Sequence, residues 1–161
     1  MGVDELRWLD AVAQRDLVVA GEITPSELTE SAIARIDSAN PVLNAVAVPL
    51  PDVGRAIAAD PTLPSGPFHG VPFLFKDVGA SLAGQPQYMG SGLLRSLGWR
   101  APADTVLGAR FRAAGVVTVG KTTLPELAAS RQPSRSRSAR AETPGTQCVP
   151  PPGPAGAQPP Q

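Results

Sequence analysis

The sequence predicts an α/β fold in residues 1–130, with N-terminal helices followed by part of a mixed sheet layered with helices. Three observations carry this. Apolar residues fall at helical spacing near the N-terminus. Two later runs, Val71–Phe75 and Val116–Val119, are apolar without alternation, as strands covered on both faces are. Residues 131–161 contain no Leu, Ile, Phe, Met, Tyr or Trp and hold eight of the nineteen prolines, so they cannot bury enough apolar surface to offset chain entropy. They are expected to form a disordered, proline-rich tail.

Leu6, Leu9, Val12, Ala13, Leu17 and Val18 line one face of a helix ending near Gly21. Thr24-Pro25-Ser26-Glu27 supplies a capping hydroxyl, a proline in the first turn and a glutamate placed to close a capping box. The helix that follows buries Leu28, Ala32, Ile33 and Ile36 and is expected to stop at Asn40-Pro41. Leu43–Val48 reads as a short strand and Val53–Ala59 as a helix closed by Asp60-Pro61. Leu63–Pro67 makes a stiff turn into the strand Val71–Phe75, and the glycine-rich stretch Gly79–Gly92 is a loop. Asp104 is placed to cap a helix whose inward face is Val106, Leu107, Phe111 and Ala114 and which ends at Gly115. Val116–Val119 is β-branched throughout and fits a central strand.

The formal charge of zero conceals an asymmetry: residues 1–130 hold 10 Lys/Arg against 13 Asp/Glu, and the tail 4 against 1. Four tail arginines, Arg131, Arg135, Arg137 and Arg140, have no aromatic residues to stack bases, so a nucleic-acid partner is not expected. The single cysteine, Cys148, excludes an internal disulfide framework. No run approaches the ~20 apolar residues that cross a bilayer, and no leader pattern opens the chain, so neither a membrane nor secretion is expected and the default location is the cytoplasm.

Lys76 closes an apolar run, Phe73-Leu74-Phe75, ahead of the glycine-rich loop. A lysine desolvated there has its charged form disfavoured, which moves it toward service as a general base; a lysine that reaches water from a strand end has no such role. The wider pattern decides between them. Gly66–Asp77, GPFHGVPFLFKD, resembles the GPLHGVPFxxKD element of the amidase-signature family, and Ala114–Leu127, AGVVTVGKTTLPEL, resembles its AGAxxxGKTNxPEF element. Gly90-Ser91-Gly92 and Asp104 fall between them where the family has a glycine-serine loop and an aspartate before a helix. The resemblance, covering roughly Ile23–Ala128, implies an incomplete amidase-signature fold. It also implies hydrolysis of a small-molecule carboxylic amide without a cofactor or metal, through a Ser-cisSer-Lys triad. Lys76 takes the place of the catalytic lysine. Ser91 and His69 match family positions outside the triad, and neither serine of the triad stands in this chain's own frame.

The family continues into a segment containing GGSSGGS, whereas this chain turns into a proline-rich tail. In a shifted frame each codon joins a free third base to the first two bases of the next residue. On that rule Ser134–Arg140 permits EPFAFGP, Glu142–Thr146 permits RNPWD and Val149–Pro160 permits RSPAGSSGGSAA, all in one frame. The tail is therefore expected to be an out-of-frame translation, and the chain as it stands inactive. One alternative is a non-enzymatic truncated relic. Another is a nucleotide-binding protein, since Gly115–Thr122 satisfies G-x-x-x-x-G-K-[ST] with Lys121 as its lysine. In that motif the strand precedes the first glycine and a loop cradles phosphate. Here the β-branched run occupies the loop's place, which argues against it.

Overall fold

The computed structural model describes residues 6–129; the expectations for the tail, including its disorder and its reading frame, lie outside the described residues. The elements are α1 (Ala11–Val19), α2 (Pro25–Leu43), β1 (Val46–Pro49), α3 (Pro51–Ala58), β2 (Pro72–Lys76), α4 (Gly92–Ser96), α5 (Val106–Ala113) and β3 (Val117–Thr122), then a 3-10 turn at Glu126–Ala128. The α/β architecture is as expected. The sheet has the order β1-β3-β2, with β1 antiparallel and β2 parallel to β3.

Helix boundaries follow from their caps. The Asp10 carboxylate accepts from the Val12 and Ala13 amides, so α1 starts later than the apolar spacing suggests. Leu6 and Leu9 precede it yet still pack with Val18, Leu28, Leu17 and Ile23. The capping box of α2 forms in full: Glu27 N donates to Thr24 Oγ1 at 3.1 Å and Thr24 N to Glu27 Oε2 at 2.8 Å. This helix does not stop at Pro41 but runs through it to Leu43. Proline's fixed φ suits a helix, and the one carbonyl it leaves without a helical partner belongs to Asp37, an exposed residue. Left-handed Asn44 ends the helix instead, its N–H donating to the Asn40 carbonyl at 2.7 Å. The Asn40 side chain pairs with both backbone groups of Val46, at 2.8 and 3.0 Å, and so sets where β1 begins.

Two apolar clusters sandwich the sheet. Ile33 of α2 and Ala58 of α3 pack on Val117 and Val119, with Ile36, Ile57 and Leu74 alongside. A second cluster joins Phe75, Ala80, Leu82 and Val116 with Phe73 and Phe111. There the three phenylalanine rings lie 4.9–5.3 Å apart, two of the three pairs edge-to-face. β3 is buried over five of its six residues, as a central strand should be. β2 buries only Phe75 fully, because it lies at the sheet edge, and a groove of about 400 Å³ opens between its Pro72–Leu74 and the Ala32–Leu43 stretch of α2. The expectation of cover on both faces thus holds for β3 and not for β2.

Helix α5 is capped by Thr105, whose hydroxyl accepts from the Gly108 amide at 3.1 Å, rather than by Asp104. Asp104 ties the loop instead, accepting from the Ala83 amide at 2.7 Å and from Arg112 at 2.9 Å. Val106 and Leu107, expected inside, are exposed. Gly108 is what faces inward, because a Cβ there would collide with the Ser81 carbonyl.

Candidate active site

The segments that carry the family resemblance are sewn to one another. Phe68 N donates to Ala114 O at 2.8 Å, Gly70 N to Gly115 O at 2.9 Å and Val117 N to Val71 O at 2.8 Å. Gly115 has φ +84°, and a Cβ there would strike the Pro64 carbonyl and the His69 backbone, so only glycine serves. His69 Nδ1 lies 3.0 Å from the Pro64 carbonyl, to which it can only donate; its place is in this turn. These contacts set the register of β2 on β3: Pro72↔Val117, Phe73↔Thr118, then Leu74↔Gly120, Phe75↔Lys121 and Lys76↔Thr122. Val119 is skipped as a bulge, and its carbonyl accepts from Leu50 N at 3.0 Å.

That register brings two lysines to the carboxyl ends of the parallel pair, where α/β sheets commonly place their sites. Lys76 ends β2 and is exposed, the reading in which a strand-end lysine reaches water. Its Nζ donates to the Thr123 carbonyl just beyond β3 at 2.7 Å. Burial falls on Lys121 instead, with 1% of its surface accessible. Lys121 Nζ lies 3.8 Å from Asp77 Oδ1 and donates to Gln87 Oε1 at 3.1 Å. Burial pulls Lys121 below the usual lysine range against the opposing effect of Asp77, and it pushes Asp77 up against the effects of Lys121 and of the Tyr88, Gly90 and Met89 amides.

The loop after Asp77 folds back over this pair. Tyr88 N donates to Asp77 Oδ1 at 3.2 Å, and Met89 and Gly90 both take left-handed backbone angles, φ +49° and +70°. Ser91 follows, buried, with its N–H on the Tyr88 carbonyl at 2.8 Å and its carbonyl receiving Arg95 N at 3.2 Å. Ser91 is thus the N-cap of the short helix α4. Gly90 lies so close to the chain after β3 that a Cβ would approach the Leu124 and Pro125 carbonyls to 2.8 Å. Lys76, the Ser91 loop and the end of β3 therefore meet at one end of the sheet.

Spacing alone did not show the Asp77–Lys121–Gln87 cluster. Its trace in the sequence is the one charged residue, a lysine, inside the β-branched stretch Val116–Leu124, which has to find a partner. The same geometry excludes a phosphate-binding role for Lys121: Gly115–Thr122 is mostly strand, hydrogen-bonded on both sides, and the ammonium is turned inward onto Asp77. Among the described residues no group of three or more His, Cys, Asp or Glu side chains could hold a metal ion, and no helix is long and apolar enough to cross a membrane.

Residues 27–148 match the Amidase family model. The chain belongs to the amidase family. It is 42% identical over 120 residues to the 6-aminohexanoate-cyclic-dimer hydrolase of Paenarthrobacter ureafaciens, covering 74% of this chain and 24% of that protein. It is 38% identical over 114 residues to a glutamyl-tRNA(Gln) amidotransferase subunit from Alkalilimnicola ehrlichii, covering 68% and 23%. Among solved structures it resembles 6-aminohexanoate cyclic dimer hydrolase complexed with substrate, with a TM-score of 0.69 at 42% identity over 74% of this chain and 24% of that one. A bacterial aryl acylamidase of the amidase signature enzymes is also similar, with a TM-score of 0.66 at 29% identity, covering 74% and 26%. The chain spans about a quarter of the length of these relatives.

Proposed function

We propose that Lys76 is the general base of an amide hydrolase acting on small-molecule amides, and that the 161 residues by themselves carry that base without its serines. The observation that supports this most is the placement of Lys76: exposed at the carboxyl end of β2 within the family's KD element, its Nζ fixed by the Thr123 carbonyl. In the proposed reaction a neutral lysine withdraws a proton from a bridging serine. That serine takes the proton of a second serine, whose oxygen attacks the amide carbon; backbone amides hold the oxyanion and the amine leaves with a proton returned along the relay. Water then releases the acid from the acyl-serine. The similarity to cyclic-dimer hydrolases favours a small aliphatic amide, with 6-aminohexanoate cyclic dimer as the first compound to assay. The exposure of Lys76 in the described residues agrees with a base that gains cover from segments this chain does not supply.

The test compares this chain with a version whose reading frame is restored after Ala128. The restored protein should cleave amides and take a fluorophosphonate label on serine, and the 161-residue chain should do neither. Turnover by the 161-residue chain that depends on Lys76 would show that a serine in the present frame, Ser91 first, serves as nucleophile.

A further inference from the structure

The loop Tyr88–Gly90 has the form of an anion nest whose occupant is part of the chain. Met89 is a non-glycine residue with positive φ and Gly90 follows with positive φ, a tight turn of the kind that forms anion-binding concavities. Tyr88 N donates to the carboxylate found there, that of Asp77, at 3.2 Å, and the Met89 and Gly90 amides favour its charged form. Lys121 brings a buried cation to the same carboxylate, and Gln87 holds the ammonium from the other side. A left-handed Met89 is a strained conformation that a free loop would relax. The loop keeps this shape because the carboxylate requires it.

We infer that Asp77 is a positioning residue: its carboxylate fills the Tyr88–Gly90 nest and, with Lys121, clamps the Ser91 loop onto the carboxyl ends of β2 and β3, fixing the peptide from which Lys76 projects. Asp77 directly follows Lys76, and the Gly90 approach to Leu124 and Pro125 leaves the loop no room to shift while the clamp holds. The clamp stands on the Tyr88 hydrogen bond, the Lys121 contact and the left-handed turn; its consequence for Lys76 rests on the reading of Lys76 as the base.

The chain contains two lysines, Lys76 and Lys121, so amine acylation followed by peptide mass spectrometry reports each separately. In the 161-residue chain Lys76 should label rapidly and Lys121 slowly. Asp77→Ala should raise the rate at Lys121 roughly tenfold or more, the order expected when one partner of a buried ion pair is removed. It should also speed hydrogen exchange at Tyr88, Met89 and Gly90 and change the pH profile of Lys76 labelling. Formate, which replaces the missing carboxylate, should reverse all three effects saturably in Asp77→Ala and do nothing to the wild type. The formate effect on loop exchange should vanish in the double variant Asp77→Ala/Lys121→Met. Formate without effect on the single variant would overturn the nest; recovery of loop and Lys121 protection without recovery of the Lys76 profile would overturn the positioning of Lys76 alone. Should Asp77→Ala not fold, Asp77→Asn keeps the shape without the charge. It should still label faster at Lys121 while β3 amides stay protected, and an unchanged rate there would refute the inference. None of these readouts involves turnover, so the outcome is independent of whether the full enzyme uses Lys76 as its base.

Discussion

Lys76 and Lys121 stand one register step apart on neighbouring strands, yet one meets solvent and the other is sealed in the protein. The difference comes from the strands that carry them. β3 lies between two partners and under two apolar clusters, so a lysine on it must find a buried counter-charge, which Asp77 provides. β2 lies at the edge and ends with its lysine free to reach outward to the Thr123 carbonyl. Of two lysines in two family motifs, the central strand makes one structural and the edge strand leaves the other available for chemistry.

Breaking the buried side of this comparison should have the largest effect on stability. Lys121→Ala leaves the Asp77 carboxylate without its cation and should cost about 3–5 kcal/mol in urea unfolding, the range for removing one partner of a buried pair. A smaller effect comes from the turn that sets the register. Gly115→Ala places a side chain at φ +84° against the Pro64 carbonyl and should cost about 2–3 kcal/mol. Gly79→Ala, at φ +85° with open space around it, should cost only about 1–2 kcal/mol.

The pair can also be tested by pH, where the two half-pairs should respond with opposite sign. In Lys121→Met, burial keeps Asp77 above its ordinary value of 3.8 with no lysine to oppose it. A group raised on folding contributes stability that is present below its unfolded pKa and lost as pH rises through its folded pKa, so this variant should gain stability on acidification. In Asp77→Asn, Lys121 stays below its ordinary value of 10.5, and its contribution is present above that value and lost as pH falls through the lowered one. That variant should gain stability toward alkaline pH. Parallel slopes in the two variants would contradict the assignment. The smallest expected effect is Lys76→Met, about 0.5 kcal/mol or less, because an exposed lysine loses little with its one hydrogen bond.

What the sequence made legible was local. The capping box at Thr24–Glu27 formed as read, and so did the central position of the β-branched run in β3. The end of α2 was misjudged because proline removes a single hydrogen bond near a helix terminus, where Asn44 and the Asn40 side chain do the terminating. The inward face of α5 was read rightly at Phe111 and misjudged at Val106 and Leu107, because periodicity cannot tell that Gly108 must meet the Ser81 carbonyl. At the candidate site, the position of Lys76 at the end of a strand was legible from the apolar run before it. The burial of Lys121 was not, since it depends on a carboxylate in the turn after another strand and on a loop whose left-handed Met89 has no signature in sequence.

The division of labour between the lysines meets its most direct test in the frame-restored protein carrying Lys76→Met, assayed on an amide it cleaves. Removing a general base should lower kcat by about 10²–10⁴-fold, with a cooperative thermal unfolding transition retained to show that the fold is intact. Turnover within about twofold of the unsubstituted protein, with the fold intact, would contradict the assignment of Lys76 as the base.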